Sequence, residues 1–72
     1  MALFPDIVVM IPRGTSAEEI RNRVAAAIRD SEKDTLTVDT CVANFERTVE
    51  GHHDPKVVAA LATHYIRVFE EV

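Results

Sequence analysis

The chain has 72 residues, 47% of them apolar, and a formal net charge of −4. That length allows one domain and one core, whose own packing retains only about 3 to 5 kcal/mol, and the single cysteine, Cys41, forbids an internal disulfide. All the excess negative charge falls after Lys33, where Arg47, Lys56 and Arg67 face Asp34, Asp39, Glu46, Glu50, Asp54, Glu70 and Glu71, so phosphate backbones are repelled and nucleic acid is excluded as a direct ligand.

Residues 1–14 form an extended arm in this reading. Ile7 to Ile11 is a continuous β-branched and apolar run between Pro5-Asp6 and Pro12-Arg13-Gly14, which predicts a short buried strand, because Pro12 disfavours helical geometry at Ile11. The run is too short, and lacks the basic leader, for a signal peptide. A buried strand needs a hydrogen-bonding partner, and the other alternating segment is Thr35 to Asp39. Three outcomes are expected for it: a small parallel pair within the monomer, a strand exchanged between subunits, or an edge that accepts a strand from another protein.

Ser16 with Glu19 three residues on makes a capping box, and Ala17, Ile20, Val24, Ala27 and Ile28 give a narrow apolar stripe. A helix over 16–31 is predicted, with Glu19 and Arg23 ordered for an i,i+4 pair, followed by turn residues Glu32, Lys33 and Asp34. The second helix is predicted from Thr37 or Val38 to Glu50, with Val38, Cys41, Val42, Phe45 and Val49 on one face and Gly51 left-handed at the end, while Leu36 and Val38 suit either a strand or a hydrophobic staple in which Leu36 covers Cys41.

Asp54 then caps and Pro55 opens a third helix, predicted to run to Glu71. It carries two seams, Val58, Leu61, Tyr65, Val68 and Val72 on one side and Ala59, Ala62, Ile66 and Phe69 on the other, with a thin polar stripe of Lys56, Thr63, Arg67 and Glu70. So much apolar surface on one helix of a small chain predicts completion by dimerisation. The longest uncharged run elsewhere, Val57 to Ile66, is about half the length needed to span a bilayer, and a cytoplasmic protein with no membrane contact is expected.

The grouping that most suggests chemistry is His52, His53 and Asp54, with Cys41 and His64. His64 lies ten residues beyond Asp54 on the predicted helix, a rise of about 15 Å, so these groups cannot converge on one ion within a monomer. A Cys41–His pair is the minimum for thiol catalysis, yet a chain this size cannot easily enclose a pocket beside its core. No metal, cofactor or catalytic residue is assigned. His64, on the flank of the first seam, is a candidate pH-sensitive contact.

The expected fold is therefore mainly α: a compact three-helix bundle over residues 15–72, preceded by the extended arm, as a single domain completed by dimerisation. The expected function is a noncatalytic protein–protein interaction module, a small homodimeric adaptor or inhibitor that blocks a surface of a larger protein, of a kind common in phages and mobile elements. Its partners would be a second copy and a protein target, and its contact residues Leu3, Phe4, Ile66 and Phe69. The alternatives are a metal-dependent or thiol enzyme subunit built on Cys41, His52, His53 and Asp54, an acidic DNA mimic, and a subunit of a structural assembly.

Overall fold

The strand foreseen near the start does form, but its partner comes from the far end of the chain. The computed structural model describes residues 2–31 and 33–71. Among these, the order is β1 (Phe4–Pro12), α1 (Ala17–Arg29), α2 (Thr35–Val49), α3 (Pro55–Ala62) and β2 (Ile66–Glu71). β1 and β2 pair in parallel as a two-stranded sheet, so all three helices lie within the crossover that a parallel pair requires. The fold is α+β rather than a helical bundle with an arm.

The third helix is thus the main correction. It ends at Ala62, not Glu71, and Thr63 to Tyr65 turn the chain into β2. Thr63 donates its amide and its hydroxyl to the Ala60 carbonyl, while His64 and Tyr65 amides reach Leu61 and Ala62 carbonyls. These i to i−3 bonds close the helix without the glycine or proline that usually marks an end. Beyond the turn, Ile66 and Val68 alternate with Arg67 and Phe69, which fits a strand with one covered face as well as it fits a helical seam. The need of β1 for a partner decides between them. Glu32, read as turn material, and Val72, read as the last residue of a seam, lie outside the described residues.

The second correction concerns Thr35 to Asp39. This segment is not a strand candidate but the first turn of α2, which starts two residues earlier than Thr37 because Asp34 caps it. The Asp34 carboxylate accepts the Thr37 amide at 2.9 Å and the Thr37 hydroxyl at 2.7 Å. Leu36 is left in solvent and staples nothing. These bonds to Thr37, side chain first, hold the Asp34 carboxyl below its ordinary pKa. A depressed folded-state pKa contributes stability above the unfolded value of about 3.9 that disappears as pH falls through the folded value. Amide exchange at Thr37 and Val38 should therefore accelerate below about pH 4 relative to the centre of α2, and Asp34→Asn should flatten that dependence; an equal acid response in both proteins would show that the cap does not titrate this end.

The other local expectations hold, except that the capping box forms by half: the Glu19 carboxylate turns to Arg23 instead of back to the Ser16 amide. Ser16 accepts the Glu19 amide at 3.1 Å, Arg23 Nε meets Glu19 Oε2 at 2.9 Å, Asp54 accepts the Lys56 amide ahead of Pro55, and Gly51 has φ +81°. The core joins Phe4, Val9 and Ile11 of β1 and Ile66 of β2 to Ile20, Val24 and Ile28 of α1, Val42, Phe45 and Val49 of α2, and Val58 and Ala62 of α3. The buried faces of all three helices join the inward residues of both strands in one core, and among the described residues no helix covers the sheet's other face.

Candidate functional site

The open face follows from strand periodicity. Register pairs Val8 with Arg67, Val9 with Val68, Met10 with Phe69, and Pro12 with Glu71. Val9, Ile11 and Ile66 point into the core, so Val8, Met10, Arg67, Phe69 and Glu71 point the other way. Val8, Met10 and Phe69 are all large exposed hydrophobics, and Met10 and Phe69 stand side by side. Leu3 is also exposed, just before β1. Parallel sheets are normally covered on both faces; among the described residues this one is covered on one.

The two sheet edges differ. Arg13 donates its amide to the Glu71 carbonyl at 2.8 Å, and the alternation of a parallel ladder then turns the peptide groups of Val9 and Ile11 toward β2 and those of Val8 and Met10 outward. The outward edge of β1 is blunted: Arg23 Nη1 donates to the Met10 carbonyl at 2.9 Å, Pro5 and Pro12 have no amide hydrogen, and the register breaks between Phe4 and Val8. By the same alternation Val68 and Glu70 of β2 turn their peptide groups outward. Among the described residues no side chain bonds to them, and β2 contains no proline. A covering side chain, prolines and a register break are usual devices for protecting an edge, and among the described residues β2, which carries charges at Arg67, Glu70 and Glu71, shows none of these three.

The four residues picked from sequence as partner contacts separate cleanly. Leu3 and Phe69 are 60% and 45% exposed, but Phe4 and Ile66 are 4% and 0% exposed and belong to the core. They cannot touch a partner while the chain is folded. For Ile66 the reason is again the misplaced helix, a seam position having become the inward position of a strand; Phe4, expected on a free arm, is instead paired beside Ile66 at the start of β1 and enclosed by the core. His64 is exposed in the turn after α3, not on an apolar flank, and its carbonyl accepts the Leu3 amide at 3.3 Å. Val8 and Met10 are exposed apolar residues within a run whose composition predicts a buried strand; their signal is the pairing with an amphipathic partner strand.

The residues weighed for chemistry stay apart. Cys41 is buried on α2, whereas His52, His53 and Asp54 are exposed in the link to α3. Among the described residues no group of three His, Cys, Asp or Glu comes together. A crevice of about 320 Å³ lies beyond the carboxyl end of β1, lined by Arg13, Gly14, Ser16, Asp54, Lys56 and Val68 among others. Two helix starts border it, but Ser16 and Asp54 already accept amides there, and the walls are mostly apolar. Among the described residues no helix is long and apolar enough to cross a membrane. Compared with protein-family models, with curated proteins and with solved structures, the chain matches none.

Proposed function

We infer that this protein is a noncatalytic binding module, a homodimeric adaptor or inhibitor that occupies a surface of a larger protein. One observation carries the reading: a parallel sheet with one bare face on which Val8, Met10 and Phe69 are exposed together. The support does not come from a helix with too little cover, since Val58, Ala62 and Ile66 are fully sheltered in the monomer. It comes from apolar strand residues that lie outside the core cluster and stay 42% to 45% exposed. Aromatic and methionine side chains of this kind are enriched where partners meet, and the two-stranded face presents them already exposed.

The reading requires that the face be dispensable for folding. Val8→Lys with Met10→Lys should leave the unfolding midpoint within a few degrees, since exposed positions shift stability by about 0.5 kcal/mol each. A photo-crosslinking side chain at Met10 should, in the native host, give adducts heavier than a dimer of the chain, while one at Glu46, exposed on α2, should not. Equal crosslinking from both positions would remove the sheet face as the binding surface.

A further inference from the structure

We propose that β2 pairs along its unprotected edge with β2 of a second copy, antiparallel, about a two-fold axis through Phe69, making one four-stranded sheet in the order β1-β2-β2-β1. The proposal rests on the homodimeric reading above and specifies where and in what register the two copies meet.

Three features select this arrangement. The first is the asymmetry of the edges: β1 is closed by Arg23, two prolines and a register break, whereas β2 presents the outward peptide groups of Val68 and Glu70 with nothing bonded to them among the described residues. The second is parity. In an antiparallel pair, residues whose peptide groups face the partner must oppose one another. A two-fold at Phe69 sets Val68 opposite Glu70 of the other copy, both outward-facing, and leaves the two Phe69 residues as a non-hydrogen-bonded pair, in which side chains come closest.

The third is charge. In this register Arg67 of each copy lies opposite Glu71 of the other, on the same face of the sheet, so both charged positions of that face are matched twice. Moving the axis to Val68 preserves parity but sets Arg67 against Phe69 and leaves the charges unpaired. The axis at Phe69 also aligns a continuous apolar row, Met10 and Phe69 of one copy meeting Phe69 and Met10 of the other, with sulfur next to aromatic ring. An axis perpendicular to the sheet keeps all helices on one side and joins the two open faces into one. A two-stranded sheet, marginal alone, thereby reaches the usual size, and the merged face becomes the surface offered to the larger partner.

Charge reversal tests the register. In sedimentation at tens of micromolar, the wild-type chain should run as a dimer of its 8.0 kDa subunit. Arg67→Glu alone and Glu71→Arg alone should each self-associate at least about tenfold more weakly, with unchanged far-UV circular dichroism, because each opposes like charges at two positions. Mixed one to one, the two variants should form a heterodimer, and the double variant Arg67→Glu/Glu71→Arg should dimerise again. Phe69→Cys should form a disulfide-linked dimer under mild oxidation, since Cα atoms in a non-hydrogen-bonded pair lie about 4.5 Å apart, whereas Val8→Cys should not. A dimeric wild type whose charge variants fail to complement, or whose folded Phe69→Cys form fails to crosslink, overturns the register but leaves the adaptor reading standing. A wild-type chain that is monomeric throughout overturns the register and the homodimer together.

Discussion

Ile66→Asp should leave no folded protein at room temperature. Ile66 is completely enclosed at the start of β2, against the core that all three helices share. The substitution removes the transfer free energy of a buried isoleucine, about 1.5 to 3 kcal/mol, and places a carboxylate where no polar group is available to pair with it. Burying an unpaired charge or protonating it instead adds several kcal/mol more. Against a total stability of about 3 to 5 kcal/mol for a chain of this length, the sum is not survivable. Far-UV circular dichroism should show a disordered chain, and proton NMR should lose its dispersion. A long amphipathic helix with Ile66 on an outward seam demands the contrary result, a helical monomer. Retained helicity with lost self-association would therefore make Ile66 a contact residue and refute the strand.

The local signals in this sequence were dependable where a side chain and a backbone group a few residues apart decide the outcome. Ser16, Asp54 with Pro55, Gly51 and the Glu19–Arg23 pair all do what their spacing implies. Asp34 belongs to the same class, but its signal is masked because Thr35 to Asp39 alternates like a strand and Thr35, Thr37 and Val38 are β-branched. The large error was non-local. Residues 66 to 71 satisfy a helical stripe and a strand alternation equally well, no glycine or proline interrupts the run after Ala62, and only contact with a strand more than fifty residues earlier settles the question. The run Ile7 to Ile11 made the need for a partner visible without saying which segment would supply it. Half of the candidate surface was lost by the same route: Phe69 was legible as an exposed aromatic, but Val8 and Met10 become outward only once β1 is known to have a single covered face.

Phe45→Ala should be among the most damaging single changes that leave no charge behind. Phe45 has no solvent exposure, sits in the last third of α2, and meets Tyr65 edge to face with ring centroids 5.5 Å apart and an interplanar angle of 71°. Truncation to alanine costs about 3 to 5 kcal/mol from lost burial and residual cavity, including about 0.5 to 1.5 kcal/mol from the ring pair. Tyr65 lies in the turn that ends α3 and begins β2, and its hydroxyl is 3.3 Å from that of Thr48 on α2. The ring pair is thus a tie between α2 and the point where the chain commits to the sheet. Urea titration should place the midpoint of Phe45→Ala at or near zero denaturant, while Phe45→Leu, which keeps most of the volume, and Tyr65→Phe, which loses only a partly exposed hydroxyl contact, should each cost less than about 1.5 kcal/mol. Where Phe45→Ala remains partly folded, amide exchange should be fastest along β1 and β2, because the strand that completes the sheet is the element the lost ring held in place. Uniform exchange, or a loss below about 1 kcal/mol, would mean that the helices close around the gap and that the sheet depends on them less than its one-sided packing demands.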